Sequence, residues 1–362
     1  MSTIFFTGFP GFLGSELVPR VLERSEDASV VCLVQEKFAE LATERVAEIE
    51  ESQPELAGRI RLVEGDITRP DLELGSPSQL GREVSEIYHL AAVYDLSVPR
   101  DVGVKVNLDG TRHMLDWAEK CSNLDRFHYV STCFVSGRYP GIFREEDLDK
   151  GQKFNNFYEE TKYLAEAAVQ RRMKEGFSAT IYRPSIVVGD SRTGETQKYD
   201  GPYYIIRWIL RQLIVAVVPA VGDPSAVRVN LVPRDFVIDA MSYLSGIEES
   251  AGKVYQLADP EPLTVEELLE GIGEASGKWI VKLPVPLGVA KAAIDHIPGV
   301  YWLMGIPSAA VDYFVHPTHY LCTNTLADLE GSGIELPSIR DYLAKLVKFV
   351  KKHPEISAEA MV

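Results

Sequence analysis

The sequence predicts an α/β protein in which a doubly wound parallel sheet carries a smaller mixed α/β cap. Apolar segments of strand length alternate with helical segments over about the first 190 residues, which is typical of a parallel sheet with crossover helices. After Gly189 this alternation fades into a polar, glycine-rich segment, and the later helices and short strands follow no such order. We therefore expect the sheet domain to comprise 1–189 with part of 225–260, and the cap to comprise 190–224 and 261–362.

Each element is predicted from the spacing of its apolar residues. Strands are short runs of consecutive or alternating apolar residues, whereas helices repeat them every three or four positions. The predicted strands are 3–7, 29–34, 60–67, 87–95, 127–135 and 178–189. The predicted helices are 15–24, 38–51, 107–121, 158–174 and an amphipathic helix at 203–221.

The chain carries a strong negative charge. Its 37 Lys and Arg residues against 53 Asp and Glu residues give a formal net charge of −16 at pH 7. This charge would repel a polyanion and argues against nucleic acid as a partner. An anionic ligand must then be held by a local site.

Cysteine spacing and the N-terminal sequence indicate the compartment. The cysteines form no CxxC pair or zinc-type spacing, so we expect neither disulfides nor a metal site; they are Cys32, Cys121, Cys133 and Cys322. The start, MSTIFFTGFPGFLG, lacks the basic region and long apolar run of a signal peptide. Arg207 and Arg211 interrupt the apolar 203–221 segment, which is too short to span a bilayer. We expect a cytoplasmic protein, with peripheral membrane contact left open.

Three glycines follow the first predicted strand at intervals of three. Gly8, Gly11 and Gly14 lie between that strand and the first helix, where backbone N–H groups can receive a pyrophosphate. The alternative is a tight structural turn. We expect a dinucleotide to contact this loop, which consists of Thr7, Gly8, Phe9, Pro10, Gly11, Phe12, Leu13 and Gly14.

The end of the second strand gives a mixed signal on the cofactor. An acidic residue at this position selects NAD, whereas a basic residue favours the 2′-phosphate of NADP. The chain offers Gln35, Glu36 and Lys37, so a neutral, an acidic and a basic residue all lie there. Asp66 and Ile67, at the end of the third predicted strand, are candidates for the adenine edge.

Tyr158 and Lys162 are four residues apart on a predicted helix and therefore share a face. The preceding strand ends in Ser131 and Thr132, so a hydroxyl, a phenol and an ammonium group meet on one side of the sheet. Reduction of a carbonyl leaves an oxyanion that must be protonated, and a nearby ammonium lowers the pKa of a tyrosine that does so. We expect Tyr158 to be the proton donor and Thr132 to hold the substrate oxygen.

These motifs resemble the extended form of the short-chain dehydrogenase/reductase superfamily, which has a Rossmann sheet and often forms dimers. The motifs, in order, are TGFPGFLG, GDI, HLAA, NLDGT, VST, YEETK and YRPSIVVG. The resemblance implies that Thr132, Tyr158 and Lys162 are catalytic and that Asn107 supports a lysine-linked proton relay. It also implies cofactor contacts at Ala91, Ala92, Val93, Pro184, Ser185 and Ile186.

A narrower set of motifs resembles the reductase domains of bacterial fatty acyl-CoA reductases. It consists of HLAAVYDL, GIFREEDL, KYDGPYYIIRWI, NLVPRDFVIDAM and HPTHYLCTNTLADL. The motifs look in particular like the first, aldehyde-reducing domain of the fused form, a thioester reductase-like, male-sterility-type domain. This resemblance implies NADPH as cofactor and a fatty aldehyde or acyl thioester as substrate, with coenzyme A or acyl carrier protein as partner. Gln35 replaces the usual arginine, so NADH stays open.

The expected substrate pocket lies between the sheet and the cap. Its candidate residues are Tyr94, Asp95, Cys133, Phe134, Tyr203 and Tyr204. The alternative for any apolar residue of the cap is a place in the cap's own core. Cys133 has no His or Asp nearby in sequence and is expected to be a small buried residue, not a nucleophile.

The sequence therefore predicts an NADPH-dependent reductase of fatty aldehydes, with acyl thioesters as further substrates of the same site. One rival is a nucleotide-sugar epimerase or dehydratase with tightly bound NAD. The other is a cofactor-sensing regulator without enzymatic activity. The intact Tyr158 and Lys162 argue against the regulator, and the apolar cap argues against the epimerase.

Overall fold

The computed structural model describes residues 2–74, 79–298 and 300–357. Its strands, in chain order, are β1 Ser2–Thr7, β2 Ala28–Val34, β3 Ile60–Glu64, β4 Val84–His89, β5 Arg126–Val130, β6 Gly141–Phe143, β7 Ala179–Pro184, β8 Ile186–Val188, β9 Val215–Ala220, β10 Leu231–Pro233, β11 Val254–Leu257, β12 Trp279–Pro284 and β13 Thr318–Tyr320.

The α-helices connect and cover these strands. In chain order they are α1 Gly14–Leu22, α2 Ala39–Ser52, α3 Leu80–Glu83, α4 Arg100–Gly103, α5 Gly110–Ala118, α6 Phe157–Lys174, α7 Tyr203–Arg211, α8 Arg234–Gly246, α9 Val265–Ser276, α10 Leu287–His296, α11 Val300–Met304, α12 Ser308–Val311, α13 Thr323–Leu329 and α14 Ile339–Lys352. A π-helical segment, Val104–Asp109, joins α4 to α5.

The central sheet has seven parallel strands in the order β3-β2-β1-β4-β5-β7-β11. Side chains alternate along each strand, so Phe6 packs in one hydrophobic cluster with α1 and α8, whereas Phe5 packs in another with α5 and α6. Helices thus cover both faces of the sheet. The predicted doubly wound α/β fold is confirmed.

Several predicted strands end earlier than the sequence indicates. β4 ends at His89 and β5 at Val130, because the residues after each of them leave the sheet and form a wall of the cavity described below. The predicted strand 178–189 is divided into β7, in the central sheet, and β8, which pairs with β10 outside it.

The amphipathic helix predicted at 203–221 is wrong in its second half. Only α7 is helical, and the chain then forms β9, which pairs with β12 in a two-stranded parallel sheet. The sequence of β9, VAVVPA, is rich in β-branched residues, which favour a strand once a partner strand is present.

The cap is built around its own hydrophobic cluster, which joins α7, β9, α9 and α14 to the segment that contains α10 and α12. A second small sheet, β6 with β13, connects the C-terminal segment to the chain that follows β5. The domain boundaries stated above stay a prediction, and the end of the predicted cap, 358–362, lies outside the described residues.

Candidate active site

The glycine loop is a tight turn that brings the start of α1 against the end of β1. Gly8 has a φ of +94°, and a Cβ on it would lie 2.8 Å from the Cβ of Leu90. A Cβ on Gly14 would lie only 2.4 Å from the carbonyl oxygen of Gly8. Side chains are excluded at both positions, so backbone N–H groups at the helix N-terminus stay accessible to an anion.

A directional chain of hydrogen bonds fixes the loop to its neighbours. Thr111 Oγ1 donates to the Asn107 carbonyl oxygen at 2.6 Å, so it accepts from His89 Nε2 at 3.1 Å. His89 Nδ1 then accepts from Thr7 Oγ1 at 2.8 Å, and Thr7 Oγ1 accepts from the Ala91 N–H at 3.2 Å. Burial lowers the pKa of His89 to about 3, which keeps the ring neutral as this chain requires.

A single cavity of about 1420 Å³ runs from the glycine loop to the cap. It lies beyond the carboxyl ends of β1, β4 and β5, where ligands bind in doubly wound sheets. All eight residues of the predicted glycine loop line it. So do the remaining predicted cofactor contacts, namely Gln35, Lys37, Asp66, Ile67, Ala91, Ala92, Val93, Tyr158, Lys162, Pro184, Ser185 and Ile186.

The far end of the cofactor half is polar. Burial alone would raise the pKa of Asp66, but the hydrogen bonds from Thr68 and Gln35 and the charge of Lys105 lower it overall. The Lys37 ammonium lies over the Phe38 ring at 4.9 Å. Lys105 also lines the cavity and was not predicted from the sequence, because the π-helical segment that presents it has no recognisable sequence signal.

Tyr158, in the first turn of α6, lines the cavity. The helix begins there because Asn156 Oδ1 accepts the backbone N–H of Glu159 at 3.0 Å. Burial raises the pKa of Tyr158 to about 12, and its hydrogen bond with Thr132 opposes this rise. The direction is opposite to the lowering that the sequence predicts, because desolvation of the phenol outweighs the neighbouring groups.

Lys162 lies one turn further along α6 and is 4% exposed. Its ammonium donates to the Val130 carbonyl oxygen at 2.7 Å and lies 4.5 Å from the centre of the Tyr129 ring. Burial lowers its pKa to about 7, and the charge of Glu166 acts in the opposite direction. Lys162 therefore titrates near neutral pH.

A buried ion pair distinguishes the two adjacent hydroxyls of Ser131 and Thr132. Glu166 and Arg183 are fully buried and 2.6 Å apart, and Ser131 Oγ donates to Glu166 Oε2 at 2.5 Å. Thr132 Oγ1 donates to the Pro184 carbonyl oxygen at a long 3.4 Å, accepts the Phe134 N–H at 3.3 Å and has a hydrogen bond with the Tyr158 phenol. The Ser131 hydroxyl therefore bonds to the buried ion pair, whereas the Thr132 hydroxyl lies beside the Tyr158 phenol.

Asn107 lies behind the cavity wall. Its side-chain amide accepts the Val93 N–H at 2.9 Å and donates to the Val93 carbonyl oxygen at 3.0 Å. It also donates to Thr161 Oγ1 at 3.0 Å, which ties the loop after β4 to α6. Asn107 thus holds one wall of the cavity in place, and its relay role stays a prediction.

Four of the six expected substrate residues line the cap half of the cavity: Tyr94, Asp95, Phe134 and Tyr204. Cys133 and Tyr203 do not. Cys133 is fully buried, its thiol donates to the Arg183 carbonyl oxygen at 3.0 Å, and burial raises its pKa well above the ordinary value. Tyr203 points into the cap core, where its phenol oxygen accepts the Gly189 N–H at 2.8 Å.

A family model described as "Male sterility protein", an NAD-binding family, matches residues 6–241, more than half of the chain. The chain belongs to this family. Its fold is that of an extended short-chain dehydrogenase/reductase, as the motifs indicate.

Three known proteins illustrate the relationship. The non-canonical nonribosomal peptide synthetase cpsA from Aspergillus campestris is 29% identical over 70% of this chain, and an aldehyde reductase, lnbA, from Aspergillus flavus is 23% identical over 78%. The chain spans 25% and 29% of these two proteins. The crystal structure of the terminal R domain of the myxalamid PKS-NRPS pathway matches with a TM-score of 0.83 at 27% identity, covering 99% of this chain and 92% of that one.

The residues of this family member fit a dinucleotide. The hydroxyl of Ser185 is buried, faces the cavity and has no hydrogen-bond partner among the described residues. The glycine cradle leaves room that a Cβ would fill. Across the described ranges, no group of three or more His, Cys, Asp or Glu side chains could hold a metal ion. None of the helices described is long and apolar enough to cross a membrane.

Proposed function

We propose that the protein is an NADPH-dependent reductase of apolar carbonyl substrates, which converts fatty aldehydes to alcohols and also accepts acyl thioesters. One observation carries this proposal. Thr132, Tyr158 and Lys162 meet where a polar, glycine-cradled half of a single cavity joins an apolar half under the cap.

The chemistry that bound NADPH supplies is hydride transfer to the carbonyl carbon. With a pKa of about 12, Tyr158 is protonated at neutral pH and can donate its proton to the oxygen that becomes negative. Thr132 orients that oxygen against the phenol. Lys162, when charged, stabilises the tyrosinate that remains. With a thioester, the hemithioacetal first formed collapses to an aldehyde and a thiol.

The preference for NADPH is supported by the charges in the adenosine half. Lys37 and Lys105 both line it, and either ammonium can pair with a 2′-phosphate. Gln35, at the position where an acidic residue would favour NAD, is neutral and acts on Asp66 through a hydrogen bond.

The apolar substrate is supported by the lining of the cap half. Aliphatic and aromatic side chains dominate there: Ile205, Val229, Val265, Leu268, Leu269, Ile294 and Phe314. A nucleotide-sugar epimerase would need polar and basic groups at these places. The similarity to a nonribosomal peptide synthetase supports a carrier-bound thioester, and coenzyme A is the alternative thiol carrier. A cytoplasmic location and a homodimer stay predictions.

The test is a substrate comparison with purified protein. We expect NADPH absorbance to fall with decanal, and also with decanoyl-CoA, and to fall more slowly when NADH replaces NADPH. The matched control, Tyr158→Phe, should lose at least about 100-fold in turnover, since general acid catalysis contributes that much. Absence of turnover with either substrate, together with NAD that copurifies with the protein, would favour the epimerase.

A further inference from the structure

We propose that Tyr313, in the cap, is a positioning residue that holds the catalytic Tyr158 in its reactive orientation. The proposal rests on the reductase function above and adds a residue that none of the sequence motifs assigns. Tyr313 lies in a 3-10 turn, Asp312–Val315, that follows α12.

The Tyr313 hydroxyl bonds to the side chains of two residues close to Tyr158 in the sequence, Asn156 and Glu159. It donates to Glu159 Oε1 at 2.8 Å and accepts from Asn156 Nδ2 at 3.1 Å. Asn156 is the residue that caps α6. A single cap hydroxyl thus fixes the first turn of the catalytic helix.

The Tyr313 hydroxyl is one of the donors that satisfy the buried Glu159 carboxylate. The residue is fully buried, and its carboxylate also accepts from the backbone N–H of Asn155 at 2.8 Å and the side-chain amide of Asn155 at 3.0 Å. A buried carboxylate is stabilised by each donor that it accepts from, and loss of the Tyr313 hydroxyl leaves Glu159 Oε1 with one donor, Asn155 Nδ2, instead of two.

The Tyr313 ring also contacts Phe134 and lines the cavity. The two rings pack edge-on with their centres 4.7 Å apart, and Phe134 lines the cavity as well. Phe314, the next residue, belongs to the apolar lining. The segment that surrounds the substrate chain is therefore the same segment that orients the proton donor.

Tyr313→Phe removes the hydroxyl while keeping the ring. We expect kcat for aldehyde reduction to fall about tenfold, because a hydrogen bond to a carboxylate is lost. We expect the Kd for NADPH to stay close to that of the wild type and the thermal midpoint to fall by no more than a few degrees, because one donor to a buried carboxylate is lost. The matched control is Tyr163→Phe, on the same helix, where the phenol packs near Phe154 outside the cavity; its kcat should not change.

Hydrogen–deuterium exchange of the peptide at 155–163 provides a readout that does not need turnover. Faster exchange in Tyr313→Phe than in Tyr163→Phe would support the proposal even if the wild type reduced no aldehyde, an outcome that would refute only the proposed function. Unchanged exchange would overturn the proposal. So would a fold loss of NADPH affinity as large as the fold loss of kcat, which would indicate a merely structural role.

Discussion

Replacing Lys162 by methionine is expected to stabilise the protein while nearly abolishing its activity. Burial lowers the pKa of the ammonium from 10.5 to about 7. Because the unfolded chain has the ordinary value, this gap corresponds to a cost of roughly 5 kcal/mol when the group is charged. Methionine removes that cost but leaves the Val130 carbonyl oxygen without its donor, a loss of about 1–3 kcal/mol. A net gain of roughly 2–4 kcal/mol in the free energy of unfolding should remain.

The gain depends on pH in a defined direction. Below pH about 7, Lys162 is charged in both the folded and the unfolded state, so its full cost applies. Between about pH 7 and 10.5 the folded protein binds fewer protons than the unfolded chain, and the wild type gains stability with rising pH. The advantage of the variant should therefore shrink across this window and reverse before its upper end, where only the unsatisfied Val130 carbonyl oxygen distinguishes the variant from the wild type.

The assay is urea denaturation of both proteins near pH 6, 8 and 10, with turnover measured beside it. Lys348→Met, at an exposed position of α14, serves as the control and should differ from the wild type by a constant, small amount. Turnover of Lys162→Met should fall at least about 100-fold. A variant that is destabilised equally at every pH would refute the reasoning.

Three further substitutions test the remaining parts of the site. Gly14→Ala places a Cβ 2.4 Å from the Gly8 carbonyl oxygen and should weaken NADPH binding at least about tenfold in a fluorescence titration. Gly288→Ala, where a Cβ meets nothing within 4 Å, should bind normally, and equal affinities would contradict the cradle. Glu166→Gln leaves Arg183 buried without its carboxylate and should cost about 3–5 kcal/mol in urea denaturation, against less than about 1 kcal/mol for Glu160→Gln in its exposed pair; similar losses would argue against the buried pair. Lys37→Ser should raise KM for NADPH about fivefold or more and leave KM for NADH unchanged, since only NADPH carries the 2′-phosphate; equal changes would remove Lys37 from cofactor selection.

The parts of the site that sequence alone could predict depend on local order in the chain. The glycine loop and the i, i+4 pair on α6 are each contained in one short segment, so their geometry follows from the element that carries them. Thr132 and Ser131 are adjacent, and only the buried Glu166, from another element, distinguishes their hydroxyls.

The incorrect predictions concern residues whose positions depend on contacts between segments that are distant in the sequence. Tyr203 and Tyr204 are neighbours on α7, and the docking of that helix, not its sequence, directs one ring into the cap core and the other into the cavity. The strand β9 forms against β12, a partner distant in sequence, which a local pattern cannot include. Tyr313 reaches α6 from the far end of the chain and has no motif.

Helix α6 carries buried polar side chains where apolar ones would stabilise it more. Tyr158, Lys162 and Glu166 follow one another at four-residue intervals, so the face that α6 turns toward the sheet carries a phenol, an ammonium and a carboxylate. A stable helix would place apolar residues on this face, as Ala165 and Val169 do beside it. Each polar group is instead compensated from another element, Lys162 by the Val130 carbonyl oxygen and Glu166 by Arg183. The single carbonyl acceptor does not offset the burial of the Lys162 ammonium, which lowers the pKa of that group to about 7.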